Sequence, residues 1–270
     1  MLEARTLSPH LLKMDEIPVM LLPDLAPVDP GPQIAALARR HRRANSPFMT
    51  LVNKIGGQIE DQVAKLPTAV RDRVEGLTEQ ALRQALGAAT YGRHAPDMCR
   101  RAAPALAALT GALGGAGGLA TSLAELPVTV TVILHSILRA AEAEGFDTSL
   151  PEVRAEALRV LSSGGPLAED DGVNTSFLGA RLTVTGPALH KLLAKVVPGF
   201  AAVLGQKLAA QSVPLLGAVS GAALNAAFLT YYREAAHIRF GLLRLSLIHG
   251  VVPVRERFAA ELEAQKLNKI

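Results

Sequence analysis

The chain has 270 residues, which is enough for one domain with a sizeable buried core. Hydrophobic residues make up 49% of it but aromatic residues only 4%, and Trp is absent, so the composition favours tightly packed helices and argues against an integral membrane protein. The net charge of +4 is too small to indicate nucleic-acid binding, and the single cysteine excludes an intrachain disulfide.

The N-terminal region divides into an extended arm and a short basic helix. Prolines spread through residues 1–32 rule out a continuous helix there, so we expect an arm that lies on the body of the protein. Residues 33–44 follow as a helix with a cluster of basic side chains, namely Arg39, Arg40, Arg42 and Arg43. These side chains either form a solvated helix face or contact an anionic membrane surface, where each contributes about 1 kcal/mol. The cluster has no interleaved aromatic residues, which argues further against a nucleic-acid partner.

Helical patterns continue through the middle of the chain, where caps, prolines and glycines predict the helix ends. The helices expected in this part span about 46–66, 67–89, 95–112 and 121–145. The third should stop in the glycine-rich run 111–118, because glycine costs a helix about 1 kcal/mol per residue relative to alanine. Gly145 fits the C-terminal cap of the fourth.

The second half of the chain is also predicted to be helical. Ser149 and Glu152 fit a capping box that starts a helix, and a loop follows over 164–175. A further helix begins near residue 187 and is expected to break near Pro198. A single helix, about 50 Å long at 1.5 Å per residue, is expected over 215–248, where no proline intervenes.

These patterns together predict the fold class. The segment Val128–Val132 is β-prone on its own, but no convincing pair of strands occurs. We therefore predict an all-α protein, a single multi-helix bundle with small-residue helix packing and little or no sheet. Its helical domain covers residues 33–250, and residues 251–270 form an amphipathic C-terminal tail helix.

Two long charge-free stretches are the most distinctive feature of the sequence. The first, 102–124, ends at Glu125, and the second, 208–232, begins after Lys207. Each is long enough to cross a bilayer, but glycines, prolines and polar residues make each a poor lipid-facing span. We expect each stretch to be split into the ends of neighbouring buried helices that line a site or a lipid-facing surface.

Two segments near these stretches carry a family resemblance. They are Leu126-Pro127 followed by an apolar helix with Arg139, Glu142 and Gly145-Phe146-Asp147, and Val213-Pro-Leu-Leu-Gly-Ala-Val-Ser-Gly-Ala-Ala-Leu-Asn225. In this order and at this separation they resemble the EcsC family of bacterial proteins over roughly residues 48–245. The resemblance implies a helical protein that is cytoplasmic or membrane-associated. The family's namesake is encoded beside an ABC transporter, so the resemblance also implies a transporter component as a candidate partner.

The candidate ligand-binding residues lie on two predicted helices. His135, Arg139 and Glu142 share one helical face; if it points inward, Arg139 pairs with Glu142 and His135 reaches a ligand. Alternatively, the helix leaves the core there and these residues are on the surface. Asn225 lies among apolar residues, where an unpaired amide costs about 1–3 kcal/mol, so we expect a backbone carbonyl or a helix end as its partner. Tyr232 completes the predicted ligand-binding set.

A weak metal motif gives the alternative function. Glu234 and His237 have the Glu-x-x-His spacing of carboxylate-bridged metal sites in helical bundles, but no second copy of this pair occurs. The glycine-rich run 111–118 lacks the phosphate-binding pattern that ends in Gly-Lys-Ser/Thr, and no catalytic triad can be assembled. We therefore expect no cofactor and favour a non-catalytic protein.

The leading hypothesis is a membrane-associated helical protein that binds lipid or another hydrophobic ligand in a cavity or on one face. It would be cytoplasmic and peripheral at the inner face of the cell membrane, accessory to a transporter. The alternatives are a metal-dependent hydrolase that uses Glu234 and His237, and a protein-interaction module of a membrane complex.

Overall fold

The computed structural model describes residues 29–44, 67–89, 102–162, 186–211 and 217–267, with the backbone alone at 43 and in 102–121, 186–187, 209–211, 217–223 and 266–267. These ranges contain seven helices and no sheet, which confirms the predicted all-α class. The helices are α1 (Gly31–Ala44), α2 (Thr68–Ala88), α3 (Ala102–Ala143), α4 (Pro151–Leu161), α5 (Gly186–Gln211), α6 (Gly217–His249) and α7 (Val251–Leu267).

The two longest helices, α3 and α6, pack along each other and run parallel. Their direction follows from two contacts at different heights. Glu125 of α3 meets Asn225 of α6, and Glu144, just after α3, meets His237 of α6. Antiparallel to both lies α5: Lys207 reaches the level of Glu125, whereas the start of α5 packs against α2 at the other end of the bundle.

One face of α6 is covered by α1 and α7. The α1 helix runs antiparallel to α6, because Arg40 pairs with Glu234 while Gln33 accepts a hydrogen bond from Arg244. Between these contacts the helices approach closely at Gly241, where a Cβ would lie 2.8 Å from a methyl group of Leu37. Glycine therefore sets the distance between α1 and α6.

The C-terminal helix α7 packs into the same core as the rest of the bundle. It follows Gly250, whose φ of +87° belongs to the left-handed region that glycine adopts without strain. Val254 and Phe258 of α7 are fully buried, and Arg257 pairs with Asp29 just before α1 at 2.8 Å. The predicted tail helix over 251–270 thus contributes apolar side chains to the core of the bundle.

Two predicted helix breaks are wrong. The α3 helix is continuous through the glycine-rich run 111–118 and through Pro127, and α5 is continuous through Pro198. Extending an existing helix adds one hydrogen bond per residue, so the well-packed half of α3 after residue 122 supports its glycine-rich half. Burial around Pro198, where Val197 and Phe200 are at most 3% exposed, offsets the backbone hydrogen bond that the proline removes.

Other helix ends were predicted with mixed success. Gly145 caps α3 with a φ of +94°, and Phe146 N–H donates to the carbonyl of Ala141, as predicted for a glycine cap. The predicted capping box is wrong: α4 starts after Leu150 without a side-chain cap, and the Ser149 hydroxyl bonds Asp147 instead. The single long helix expected over 215–248 is confirmed as α6.

Three predicted segments lie wholly or largely outside the described residues. They are most of the arm over 1–32, the helix over 46–66 and the loop over 164–175. At the end of the predicted arm, residues 31 and 32 already belong to α1.

Candidate functional site

Four polar side chains meet inside the bundle where α3, α5 and α6 come together. Oε1 of Glu125 accepts hydrogen bonds from Nζ of Lys207 at 3.1 Å, Nδ2 of Asn225 at 2.5 Å and Oγ1 of Thr129 at 3.1 Å. All four residues are buried, and Lys207 is only 1% exposed. We call Glu125, Thr129, Lys207 and Asn225 the polar cluster.

The polar cluster holds two charges in an apolar interior. Burial lowers the pKa of Lys207, and the charge and hydrogen bond of Glu125 oppose this effect. Oε2 of Glu125 is buried as well and has no hydrogen-bond partner among the described residues. Removing such charges from water costs several kcal/mol per ion, so a purely structural contact of this kind is expensive to maintain. Its place in the bundle therefore calls for an explanation.

That place coincides with the ends of both charge-free stretches. Glu125 follows the first stretch and Lys207 precedes the second, and the two form one ion pair. The residues that precede the cluster in α3 and α6 and those that follow it in α5 lie on the same side of it, because α5 is antiparallel to the other two helices. The helical backbone of 102–124, 208–211 and 217–224 therefore extends from one side of the polar cluster. We call these three segments the charge-free end of the bundle. Its longest segment, in α3, measures about 35 Å at 1.5 Å per residue.

The residues predicted to bind a ligand do not form one site. Asn225 has a partner, as expected, but that partner is the carboxylate of Glu125 rather than a backbone carbonyl or a helix end. Glu142 lies about 25 Å further along α3 at 1.5 Å per residue. There it pairs with Arg139 at 2.6 Å and accepts a hydrogen bond from the Thr148 hydroxyl.

The other two members of the predicted set lie in different environments. His135 is half-buried on α3, one turn before Arg139. Tyr232 is fully buried and packs its ring against three aromatic neighbours, Phe200, Phe228 and Tyr231. Burial, with a smaller contribution from Tyr231, raises the pKa of the Tyr232 phenol well above its ordinary value of 10.0. Tyr232 thus occupies a core position.

The two residues of the predicted metal motif contact different partners. Glu234 pairs with Arg40 of α1 at 2.9 Å, and Nδ1 of His237 lies 3.0 Å from Oε1 of Glu144. Among the described residues, no three His, Cys, Asp or Glu side chains gather in a way that could hold a metal ion. Within this part of the chain, Glu234 and His237 belong to a network of polar contacts that connects α1 and the end of α3 to α6.

The basic cluster of α1 is partly engaged in this network. Arg39 and Arg42 are exposed, whereas Arg40 is half-buried against Glu234; the side chain of Arg43 lies outside the described residues. Because α1 is antiparallel to α6, its C-terminal turns point in the same direction as the charge-free end. Arg40 lies at the level of Glu234, which is about 14 Å along α6 from Asn225.

Sequence reasoning missed two charged groups that the structure brings out. The first is the Glu125–Lys207 pair. Each of these residues bounds a charge-free stretch, and this shared position was the signal in the sequence that could have linked them. The second is Glu156 of α4, which is 2% exposed and pairs with Arg159 and with Arg239 of α6. Burial lowers the pKa of Arg239, and Glu156 opposes this effect.

Two segments among the described residues are long and apolar enough to cross a membrane. They are Ser122–Ala143 in α3 and Ala188–Leu208 in α5, with 56% and 44% of their most apolar windows buried inside the bundle. A buried core helix of a soluble protein can have the same length and composition. These two properties alone therefore identify neither segment as a membrane span.

The described residues form an all-α bundle with an ion pair buried between apolar helices. A family model described as the EcsC protein family matches residues 33–170. This chain belongs to the EcsC family. The match includes the first segment that carried the resemblance, around Leu126 to Asp147, and ends before the second. No match was found among curated proteins or among solved structures.

Proposed function

We propose that this protein is a non-catalytic peripheral membrane protein that binds lipid through the charge-free end of its bundle. The observation that carries the proposal is the pairing of Glu125 with Lys207, since it gathers the first charge-free stretch and the start of the second, 208–211 and 217–224, on one side of a single buried ion pair. The polar cluster then marks the boundary between an apolar end and a body whose surface is charged.

Helical backbone suits contact with acyl chains. In a helix the backbone N–H and C=O groups bond to each other, so apolar side chains can face lipid without exposing unsatisfied polar groups. The α3 part of the charge-free end, about 35 Å long, is comparable with the hydrocarbon thickness of a bilayer, about 30 Å. The length and the helical backbone of this segment therefore suit contact with acyl chains.

The charge distribution on α1 supports an orientation in which the charge-free end faces the membrane. Arg39 and Arg42 are exposed on the turns of α1 that point towards the charge-free end. Near an anionic leaflet each would contribute about 1 kcal/mol. The inner face of the cell membrane carries such a charge, and this supports the cytoplasmic, peripheral location.

Vesicle flotation tests the proposal with a charge placed in the middle of the charge-free end. Wild-type protein should float with vesicles that contain anionic lipid. Leu113→Glu should lower the partition coefficient on the order of 100-fold, because a charge at the centre of an inserted helix costs about 2.5–3.5 kcal/mol. Val252→Glu is the matched control, since Val252 is 51% exposed on α7 at the other end of the bundle, and it should float like wild type.

Two outcomes would contradict the proposal. One is wild-type protein that stays with the soluble fraction at every lipid concentration. The other is an equal loss of flotation in both glutamate variants, which would mean that no particular end of the bundle contacts lipid. Glu234 pairs with Arg40 whereas His237 contacts Glu144, and this arrangement does not favour a hydrolase that would use both side chains on one metal.

A further inference from the structure

A cavity lies at the opposite end of the bundle. It is enclosed between the last turns of α2, the start of α4 and the first turns of α5 and has a volume of about 290 Å³. Its lining consists of Arg83, Leu86, Gly87, Arg154, Leu189, His190 and Leu193. His190 and Lys207 are about 25 Å apart along α5 at 1.5 Å per residue, so this cavity is distinct from the polar cluster.

Arg154 supplies an incompletely satisfied charge to this cavity. One terminal nitrogen of its guanidinium donates to the carbonyl of Leu86 at 3.4 Å, which is a long hydrogen bond. Its Nε is buried and has no hydrogen-bond partner within the described part of the chain. Burial lowers the pKa of Arg154, and the charge of Glu152 opposes this effect. A guanidinium remains protonated in proteins, so Arg154 places a half-buried positive charge at the cavity wall.

The rest of the wall divides into a polar and an apolar part. The second guanidinium, that of Arg83, is already engaged by Glu79 at 2.6 Å and is half exposed. Leu86 and Leu193 are buried, at 7% and 2% exposure, and form the apolar side. A charge with donors to spare thus faces a leucine-lined wall, an arrangement that matches a molecule with an anionic head and an apolar body.

We propose that this cavity binds a small amphipathic anion, a carboxylate or phosphate joined to a short apolar chain, with Arg154 as its counter-ion. The proposal goes beyond the membrane contact of the charge-free end, because it concerns a soluble ligand at the far end of the bundle. The terminal N–H groups of Arg154 would donate to the oxyanion, and the apolar chain would lie along the leucines.

Titration calorimetry with octanoate and octyl phosphate tests this proposal, and octanol serves as the neutral probe. We expect wild-type protein to bind at least one of the two anions with a stoichiometry of one, and to bind octanol at least about tenfold more weakly. The stronger anion identifies the head group. Arg154→Met should weaken anion binding at least about tenfold, and Arg154→Lys less, because it keeps the charge but loses the planar pair of donors.

Two further variants separate binding from folding. A Cβ at Gly87 would meet no heavy atom within 4 Å, so Gly87→Leu should fold normally while its side chain takes up space at the cavity wall and weakens binding. Arg255→Met removes an exposed arginine from α7 and should bind like wild type. Absence of anion binding at millimolar concentration would overturn the proposal. So would equal affinities of wild type and of a folded Arg154→Met or Gly87→Leu variant.

Discussion

The ion pair of the polar cluster offers the most direct test of the structure. Lys207→Met removes the positive charge from an interior where Lys207 is 1% exposed and its partner Glu125 is 7% exposed. The carboxylate of Glu125 would stay buried with hydrogen bonds from Asn225 and Thr129 but without a counter-charge. Breaking a buried pair in this way costs about 3–5 kcal/mol, several times the value of a surface pair.

The same argument predicts that removing both charges costs much less than removing one. Glu125→Gln keeps a carbonyl oxygen that can accept from Asn225 and Thr129, so the double variant Glu125→Gln/Lys207→Met should regain all but about 1–2 kcal/mol of the free energy of unfolding. The exposed pair of Arg257 and Asp29 provides the control, because Arg257→Met should cost no more than about 1 kcal/mol.

Urea unfolding followed by circular dichroism measures these differences. With an m value of about 2–3 kcal/mol/M, Lys207→Met should lower the urea midpoint by roughly 1–2.5 M, and the double variant should recover most of that shift. If Lys207→Met shifts the midpoint no more than Arg257→Met, or if the two substitutions in the cluster are simply additive, Glu125 and Lys207 do not act as a buried ion pair.

Three further predictions concern single sites. Gly241→Leu should destabilise the protein by about 1–3 kcal/mol in urea unfolding, because its side chain would collide with buried Leu37 and push α1 from α6. Gly76→Ala, where a Cβ meets nothing within 4 Å in an exposed part of α2, should stabilise by about 0.5–1 kcal/mol in the same assay. Burial raises the pKa of Glu144, but its hydrogen bond with His237 and the charge of Arg244 outweigh this and lower it below 4.5. Its contribution to stability is therefore complete above pH 4.5 and is lost as the pH falls through the folded-state pKa, so Glu144→Gln should flatten acid unfolding below pH 4.5.

The helical class and many helix ends could be predicted because local chemistry determines them. Gly145 caps α3 since glycine adopts its φ of +94° without strain, and the proline-free segment after residue 215 forms one helix. The breaks expected at 111–118 and at Pro198 were wrong because helix propensity is a weak preference. Cooperative extension and burial of neighbouring side chains outweigh it in α3 and α5.

The site could be predicted only in part, because its contacts join distant residues. Sequence spacing placed Arg139 and Glu142 on one helical face, three residues apart, and in the structure they pair. It could not show that Asn225 meets Glu125, one hundred residues away, or that Lys207 completes the cluster from a third helix. Nor could it show that Tyr232 is enclosed by other rings, since an aromatic residue on a long helix suits a core and a binding surface equally well.

The position of the ion pair also bears on how three helices of small apolar residues keep one alignment. Rows of Ala, Leu, Val and Gly repeat at every helical turn, so sliding α5 by one turn along α3 would exchange one set of apolar contacts for a similar set. The same slide of about 5.4 Å would separate Lys207 from Glu125 and leave two buried charges uncompensated. By this argument the polar cluster penalises shifted alignments more than the apolar contacts do, and the native fold bears the desolvation cost in return for one alignment.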